Sequence, residues 1–285
     1  MILVTQNYKL AFIGAGSMAE AIFSGLIQQN KMSPENIIVT NRQNEERLLE
    51  LKEKYGVQIS SNHEHVLAEA NVVILAMKPA GVQKAIESIR SYTSENQLFI
   101  SVLAGITTDY ISYLLGHNAP VIRVMPNTSA AVGSSATVFA PGKSVKDEHL
   151  TITESLFQAV GMVRQVKEED VDSVTAIAGS GPAYMYYIVE AMFDSLDELH
   201  LDRQLGEALI LQMIQGSVDL MKNSGHTPRE LYQKVKSPGG TTEAGLKVLE
   251  DNQIQETMRN CINRAAQRSK EITKEMSTVP ANTIK

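Results

Sequence analysis

The 285-residue sequence predicts an α/β chain, with a doubly wound parallel sheet over residues 1–166 followed by an all-α domain over residues 167–285. Three observations predict it. Short apolar runs alternate with helical patterns through the first half, at the spacing of strand–helix–strand units. A glycine-rich junction at residues 9–19 joins the first run to the first helix. From about Glu168 the strand patterns stop and only helical spacing continues.

The first strand is the apolar run 10–13, and after the glycines the chain continues as a helix over 20–29. Residues 36–40 form the second strand, and 45–55 a helix stopped by Gly56, the residue type favoured just past a helix end. A short strand follows at 57–59. Residues 71–76, Asn71 followed by five apolar residues, form an apolar run of the length of a strand buried on both faces, and a helical pattern then runs to Arg90. Further strands are expected at 98–102 and 119–124.

In the second half Pro182 suits a first helical turn, and Met185, Ile188, Val189, Met192 and Leu196 recur at helical spacing. Leu205, Leu209, Met213 and Leu220 mark a second helix that closes near Gly225. Later helices are expected over 228–235, 243–250 and 254–274. The tail, 275–285, contains Pro280 and few apolar residues, and reads as mobile.

Composition narrows the class. With 43% hydrophobic residues the chain has material for real cores, and its net charge of −6 comes from mixed signs, which argues against a nucleic-acid surface. Its one cysteine, Cys261, excludes an intramolecular disulfide framework and a cysteine zinc cluster, and fits a reducing cytoplasm. No apolar run approaches the roughly 20 residues of a membrane helix, and residues 1–10 are too short an apolar stretch for a signal peptide. His63 and His65 read as solvated histidines on a loop, with no further ligands to complete a metal site. No metal is expected.

The junction Gly14, Ala15, Gly16, Ser17, Met18 and Ala19 has a specific physical reading. Gly14 allows a tight turn, Gly16 lets a pyrophosphate approach the backbone, and Ala19 lets helix and strand pack closely. The phosphates would sit on the helix N-terminus, where unpaired N–H groups and the dipole favour negative charge. The alternative is a turn that merely contains glycines. After the second strand stand Thr40, Asn41 and Arg42, with no carboxylate before Glu45 to bind a ribose 2′-hydroxyl. Asn41 and Arg42 suit a 2′-phosphate, so NADPH is expected, with NADH possible and weaker. A plain surface arginine is the other reading of Arg42.

Six fragments in order carry a family resemblance: FIGAGSMA at 12–19, AMKP at 76–79, AGI at 104–106, RVMPNT at 123–128, GSGPAY at 179–184 and SPGGTT at 237–242. The chain resembles the pyrroline-5-carboxylate reductases over nearly its whole length. The resemblance implies reduction of a cyclic imine, 1-pyrroline-5-carboxylate, to L-proline by NADPH, the last step of proline biosynthesis. It also implies a Rossmann domain followed by a helical domain that forms a homodimer, in some members assembled further.

For such a substrate the site needs anion donors, a flat slot beside the nicotinamide, and a proton. Ser237, Gly239, Gly240, Thr241 and Thr242 read as a carboxylate cradle, the glycines turning amides toward one point; an ordinary helix N-cap is the alternative. Thr242 matches the family position near the imine nitrogen. A threonine is a poor acid, so it would orient a protonated iminium or relay a proton through water. Ser180 and Gly181 would face the same slot, and Glu168 matches an acidic position near the product site, or is simply part of an exposed acidic cluster. On the cofactor side the resemblance brings in Asn62, then Ala76, Met77, Lys78 and Pro79, then Leu103, Ala104 and Gly105. Lys78 reads equally as a solvated lysine. Leu103 and Lys236 depart from the family, which more often has a small residue and a hydroxyl residue there.

Two rival functions are disfavoured. A β-hydroxyacid dehydrogenase or related imine reductase would carry a catalytic lysine after its second glycine motif, and residues 182–187 contain none. A non-enzymatic NADP-binding regulator would not need the Gly14, Ser237 and Thr242 motifs intact.

Overall fold

The computed structural model describes residues 8–278. β1 (Leu10–Ile13) leads into α1 (Ser17–Gln28), β2 (Ile37–Thr40) into α2 (Glu45–Tyr55), and β3 (Gln58–Ile59) into the short α3 (His63–Leu67). The alternation continues through β4 (Val72–Leu75), α4 (Val82–Ile89), β5 (Leu98–Ser101), α5 (Thr108–Leu115) and β6 (Val121–Met125). Then come β7 (Ser135–Pro141), α6 (Asp147–Phe157) and β8 (Gly161–Gln165). The rest is helical: α7 (Val171–Val174), α8 (Gly181–Glu198), α9 (Arg203–Asn223), α10 (Pro228–Val235), α11 (Thr241–Asp251) and α12 (Ile254–Met276).

The strands form one sheet in the order β3-β2-β1-β4-β5-β6-β7-β8. It is parallel from β3 to β6, and β7 turns back antiparallel to β6 with β8 parallel to β7. The expected parallel sheet is therefore mostly parallel. β7 and β8 escape a search for buried apolar runs: β7 opens on Ser, Ala and Thr, and in β8 Val163 is buried between exposed Met162 and Arg164.

Side chains alternate across the pleat and fill two main cores, with a smaller cluster of Met125, Val138, Ala140 and Val171 beside them. Phe12, Val39, Ile74 and Ile100 pack with Ile22, Phe23 and Leu26 of α1, Leu51 of α2 and Leu156 of α6. Ala11, Val73, Leu75 and Phe99 pack with Val66 of α3, Ile86 of α4 and Ile111 of α5. Edge-to-face ring contacts from Phe23 to Phe12, at 5.5 Å, and to Tyr55, at 5.4 Å, fix α1 between β1 and α2.

The chain divides into two compact units: one runs to Ser180 and regains the chain from Ala265 onward, and the other is Gly181–Arg264. The strands stop near residue 167, yet the sheet unit keeps the next thirteen residues because they are tied to it. Val171 and Ala176 are buried, and Asn127 Nδ2 donates to the Ala178 carbonyl at 2.9 Å. The C-terminal half of α12 is bound in the same unit, where Ser269 and Thr273 donate to Asp172, each at 2.9 Å.

Two local expectations change. His63 and His65 stand on α3 rather than a loop, because Asn62 caps that helix by accepting from the His65 N–H at 3.2 Å. Of the tail expected to be mobile, Glu275 and Met276 belong to α12, while residues 279–285 lie outside the described residues, as do residues 1–7. Among the described residues no helix is long and apolar enough to cross a membrane.

Candidate active site

The strand order reverses between β1 and β4, so their carboxyl ends open the crevice where doubly wound sheets bind ligands. The glycine junction occupies that edge. Gly14 has φ +121°, and a Cβ there would lie 2.5 Å from the Ala76 carbonyl oxygen, so only glycine fits where β1 passes the end of β4. Gly14 N–H donates to the Thr40 carbonyl at 2.9 Å, and Ala76 N–H to the Ile13 carbonyl at 3.0 Å, which binds the loops after β1, β2 and β4 together. Gly16 is different: a Cβ there would meet nothing within 4 Å. It is the N-cap of α1 and supplies no side-chain hydrogen bond, so the helix start has open space in front of unsatisfied N–H groups. Ala19 is fully buried in the close approach of α1 to the sheet, with Ala15 nearly so, Met18 half-buried and Ser17 exposed. These residues fit a dinucleotide pyrophosphate.

The other candidate cofactor residues gather at the same carboxyl edge. Asn41 holds a turn, its Nδ2 donating to the Asn44 carbonyl at 2.6 Å and its Oδ1 accepting from the Asn44 N–H at 2.9 Å. Arg42 is exposed and free of hydrogen bonds to described residues. Asn62 spends its carbonyl on capping α3. Ala76 and Met77 are half-buried after β4, Lys78 is exposed, and Pro79 starts a short 3-10 turn.

After β5, Leu103 is 2% exposed and packs with Ile106 in the second core, so this departure from the family pattern points into the protein. Ala104 is exposed beside it. Gly105 touches Ile272 of α12, and Ser277 clasps this loop, donating to the Gly105 carbonyl at 2.7 Å and accepting from the Thr107 N–H at 3.0 Å. Glu168 braces its far side: one carboxylate oxygen accepts from Thr108 N–H at 2.8 Å, the other from Thr108 Oγ1 at 2.6 Å. Its carboxylate is thus committed to the start of α5. Sequence reasoning gave Glu168 a substrate contact and missed Ser277 altogether, since neither partner lies near it in the chain.

Ser180 closes a π turn by donating its N–H to the Thr175 carbonyl at 2.8 Å, and Gly181 opens α8. In the helical unit, Ser237 to Gly240 form a turn in which Gly240 N–H donates to the Ser237 carbonyl at 3.0 Å and Gly239 has φ +69°. Gly240 is then the N-cap of α11, again without a side-chain hydrogen bond. Thr241 and Thr242 are the first two residues of that helix, two positions earlier than its expected start, and Thr242 is half-buried. Gly239 N–H already binds a carboxylate, that of Glu243 at 2.8 Å, and Lys236 pairs with the same side chain at 3.0 Å. The Gly239 N–H and then Lys236 hold the Glu243 carboxyl below the usual carboxylate range. The turn thus already holds a carboxylate, that of its own helix. No group of three or more His, Cys, Asp or Glu able to hold a metal occurs among the described residues.

A protein of Bacillus subtilis (strain 168), pyrroline-5-carboxylate reductase 2, is 44% identical over 269 residues, 94% of this chain and 96% of its own. The chain belongs to the pyrroline-5-carboxylate reductase family. The pyrroline-5-carboxylate reductase dimerisation model matches residues 168–272, and the model described as NADP oxidoreductase, coenzyme F420-dependent, matches residues 9–105. Among solved structures, the Plasmodium falciparum pyrroline carboxylate reductase with NADP bound superposes with a TM-score of 0.87 at 30% identity, covering 94% of this chain and 99% of that one. The Coxiella burnetii pyrroline-5-carboxylate reductase gives 0.85 at 35% identity, covering 94% and 100%. The chain is therefore an NAD(P)-dependent oxidoreductase of this family, and both second-half motifs, at 179–184 and 237–242, lie inside the dimerisation match.

Proposed function

We propose that this chain reduces 1-pyrroline-5-carboxylate to L-proline with NADPH, closing proline biosynthesis in the cytoplasm as a homodimer or an assembly of dimers. One observation carries the reading. α1 and α11 both begin at a glycine that offers no side-chain cap, leaving two sets of backbone N–H groups, one suited to a pyrophosphate and one to a small carboxylate.

NADPH, when bound, supplies the hydride and thereby the electron pair that forms the new C–H bond at C5 of the ring. The N–H groups of Gly16, Ser17 and Met18 hold the pyrophosphate, and the unpartnered Arg42 guanidinium takes the 2′-phosphate that distinguishes NADPH from NADH. Asn62, Ala76, Met77, Lys78 and Pro79 border the cofactor. Leu103, Ala104 and Gly105, held by Ser277 and Glu168, form the rigid wall beside the nicotinamide. In the other cradle, the turn of Ser237, Gly239, Gly240 and Thr241 receives the ring carboxylate, which displaces the Glu243 carboxylate from the Gly239 N–H, and Thr242 Oγ1 orients the ring nitrogen, which enters protonated and leaves as the amine. Ser180 and Gly181 line the slot for the flat ring. Positioning is the main catalytic device, because hydride transfer to an iminium needs no protein acid.

The assay is NADPH consumption with pyrroline-5-carboxylate. For Thr242→Ala we expect kcat/KM to fall on the order of a hundredfold while the melting temperature holds. Unchanged kinetics would remove Thr242 from the mechanism, and no turnover by the unaltered protein would remove the function.

A further inference from the structure

Arg47 lies on α2, outside every motif, yet its guanidinium reaches back to the glycine turn. Nε donates to the Ala15 carbonyl at 3.2 Å. Nη2 pairs with Glu20 in the first turn of α1, and Nη1 with Glu50 at 2.8 Å. Glu20 also accepts from Tyr55 Oη at 2.7 Å and from Lys54 Nζ at 3.0 Å. The Arg47 and Glu20 side chains keep only 22% and 19% of their exposure, so the pair is sheltered from solvent screening.

Two effects on the turn follow. The Ala15–Gly16 peptide is trans, so its N–H faces opposite to its carbonyl, and fixing the Ala15 oxygen on Arg47 fixes the direction of the Gly16 N–H. The second effect is electrostatic. Glu20 places a carboxylate within one turn of the α1 N-terminus, where it would repel an incoming pyrophosphate unless Arg47 and Lys54 offset it.

We infer that Arg47 is a positioning residue for the dinucleotide: it aims the Ala15–Gly16 peptide and neutralises Glu20, so that the glycine turn accepts a pyrophosphate. The inference rests on the reading of residues 14–19 as the NADPH site. It separates Arg47 from Arg42, which would sense the 2′-phosphate alone.

The test is titration of NADPH and of NADH, followed by cofactor fluorescence, into the unaltered protein and into Arg47→Ala, Arg47→Lys, Arg42→Ala and Arg47→Ala/Glu20→Gln. Arg47→Ala should raise the Kd of both cofactors by about tenfold and by the same factor, because both carry the pyrophosphate. Arg42→Ala should weaken NADPH alone. Adding Glu20→Gln to Arg47→Ala should recover part of the loss, the part due to the exposed carboxylate. An Arg47→Ala protein that binds both cofactors like the parent overturns the inference, as does one weakened for NADPH alone. Should Arg47→Ala fail to fold, Arg47→Gln, which loses the charge and the fork but keeps most of the side chain, takes its place, and a Kd unchanged for both cofactors would overturn the inference equally; Arg47→Lys, which keeps the charge alone, should lie between it and the parent. If the unaltered protein binds neither cofactor, the site reading fails instead.

Discussion

The two compact units of this chain solve the burial problem differently. In the sheet unit every residue of β1, β4, β5 and β6 is buried, and α1 to α6 each lay an apolar face on one of the two main cores. In Gly181–Arg264 only Leu196 and Gly206 are buried, while Leu205, Leu209, Met213 and Leu220 remain at least half exposed on one long helix. Tyr186 and Tyr187 on α8 and Val248 and Leu249 on α11 are likewise at least half exposed. A solvated monomer rarely tolerates so much exposed hydrocarbon. The sheet unit carries its own stability, and the helical unit borrows it, in the proposed function, from a second copy of the chain.

The largest expected effect lies at the tie that holds the end of α12 in the sheet unit. Arg123 is 1% exposed, and Nη2 donates to Asp172 at 3.1 Å, the same carboxylate oxygen that accepts from Ser269 and Thr273. Arg123 Nε has no partner among the described residues, so Asp172 is the principal answer to a buried cation. Asp172→Ala should cost about 3–5 kcal/mol, since removing one partner strands the other charge. Asp172→Asn, which still accepts, should cost less. Chemical denaturation followed through the sheet unit checks both, and a loss below 1 kcal/mol would mean that the self-sufficient core does not depend on this tie.

The opposite unit is probed by Leu209→Asp. A carboxylate on the exposed stripe of α9 should leave the sheet unit folded and break the oligomer, at a cost of about 2 kcal/mol or more per interface. Sedimentation against concentration reads it. A variant with unaltered mass would place the covered face elsewhere and dissolve the contrast drawn above.

The same contrast explains what was legible in the sequence. β1, β2, β4, β5 and β6 announce themselves because burial on both faces demands mostly apolar runs, interrupted in β6 by Arg123 alone; β7 and β8 do not, because one starts with small polar residues and the other lies at the edge with only Val163 buried. The amphipathic helices were readable, but not what covers them. Both proposed cradles were visible as glycine and threonine motifs, since close backbone approach admits few residue types. Their supports were hidden. Arg47 reads as a solvated helix charge until its contact with Ala15, 32 residues away, is seen; Glu168 meets Thr108 across 60 residues, and Ser277 meets Gly105 across 172.

A pH scan tests one of those supports. Burial alone raises the Glu20 carboxyl, but hydrogen bonds from Tyr55, Arg47 and Lys54 outweigh it and lower the pKa from 4.5 to about 2. A depressed carboxylate pKa means the stabilisation is complete above the unfolded value and is lost as pH falls from about 4.5 toward 2. Glu20→Gln should therefore melt below the parent near neutrality, and the gap should close on acidification. A gap that stays constant across that window would take the ion pair out of the sheet unit's stability.

The smallest effect is expected at Lys236, in the unit with least core. Its amine and the Gly239 N–H share the Glu243 carboxylate, and both side chains are about a third or more exposed, so the pair adds little to stability. Lys236→Thr places there the hydroxyl that the family resemblance leads one to expect. It also removes a cation from the turn proposed to receive the substrate carboxylate and leaves the Glu243 charge unbalanced there. Both changes disfavour an incoming anion, so the KM for the imino acid should rise, by about fivefold at most, with a smaller change in kcat. Salt should shrink the difference, because charges this exposed are screened within roughly 10 Å at 0.1 M. A fall in KM would mean instead that the Lys236–Glu243 pair obstructs the cradle, the amide of Gly239 being more useful to the substrate when Glu243 is free to leave it.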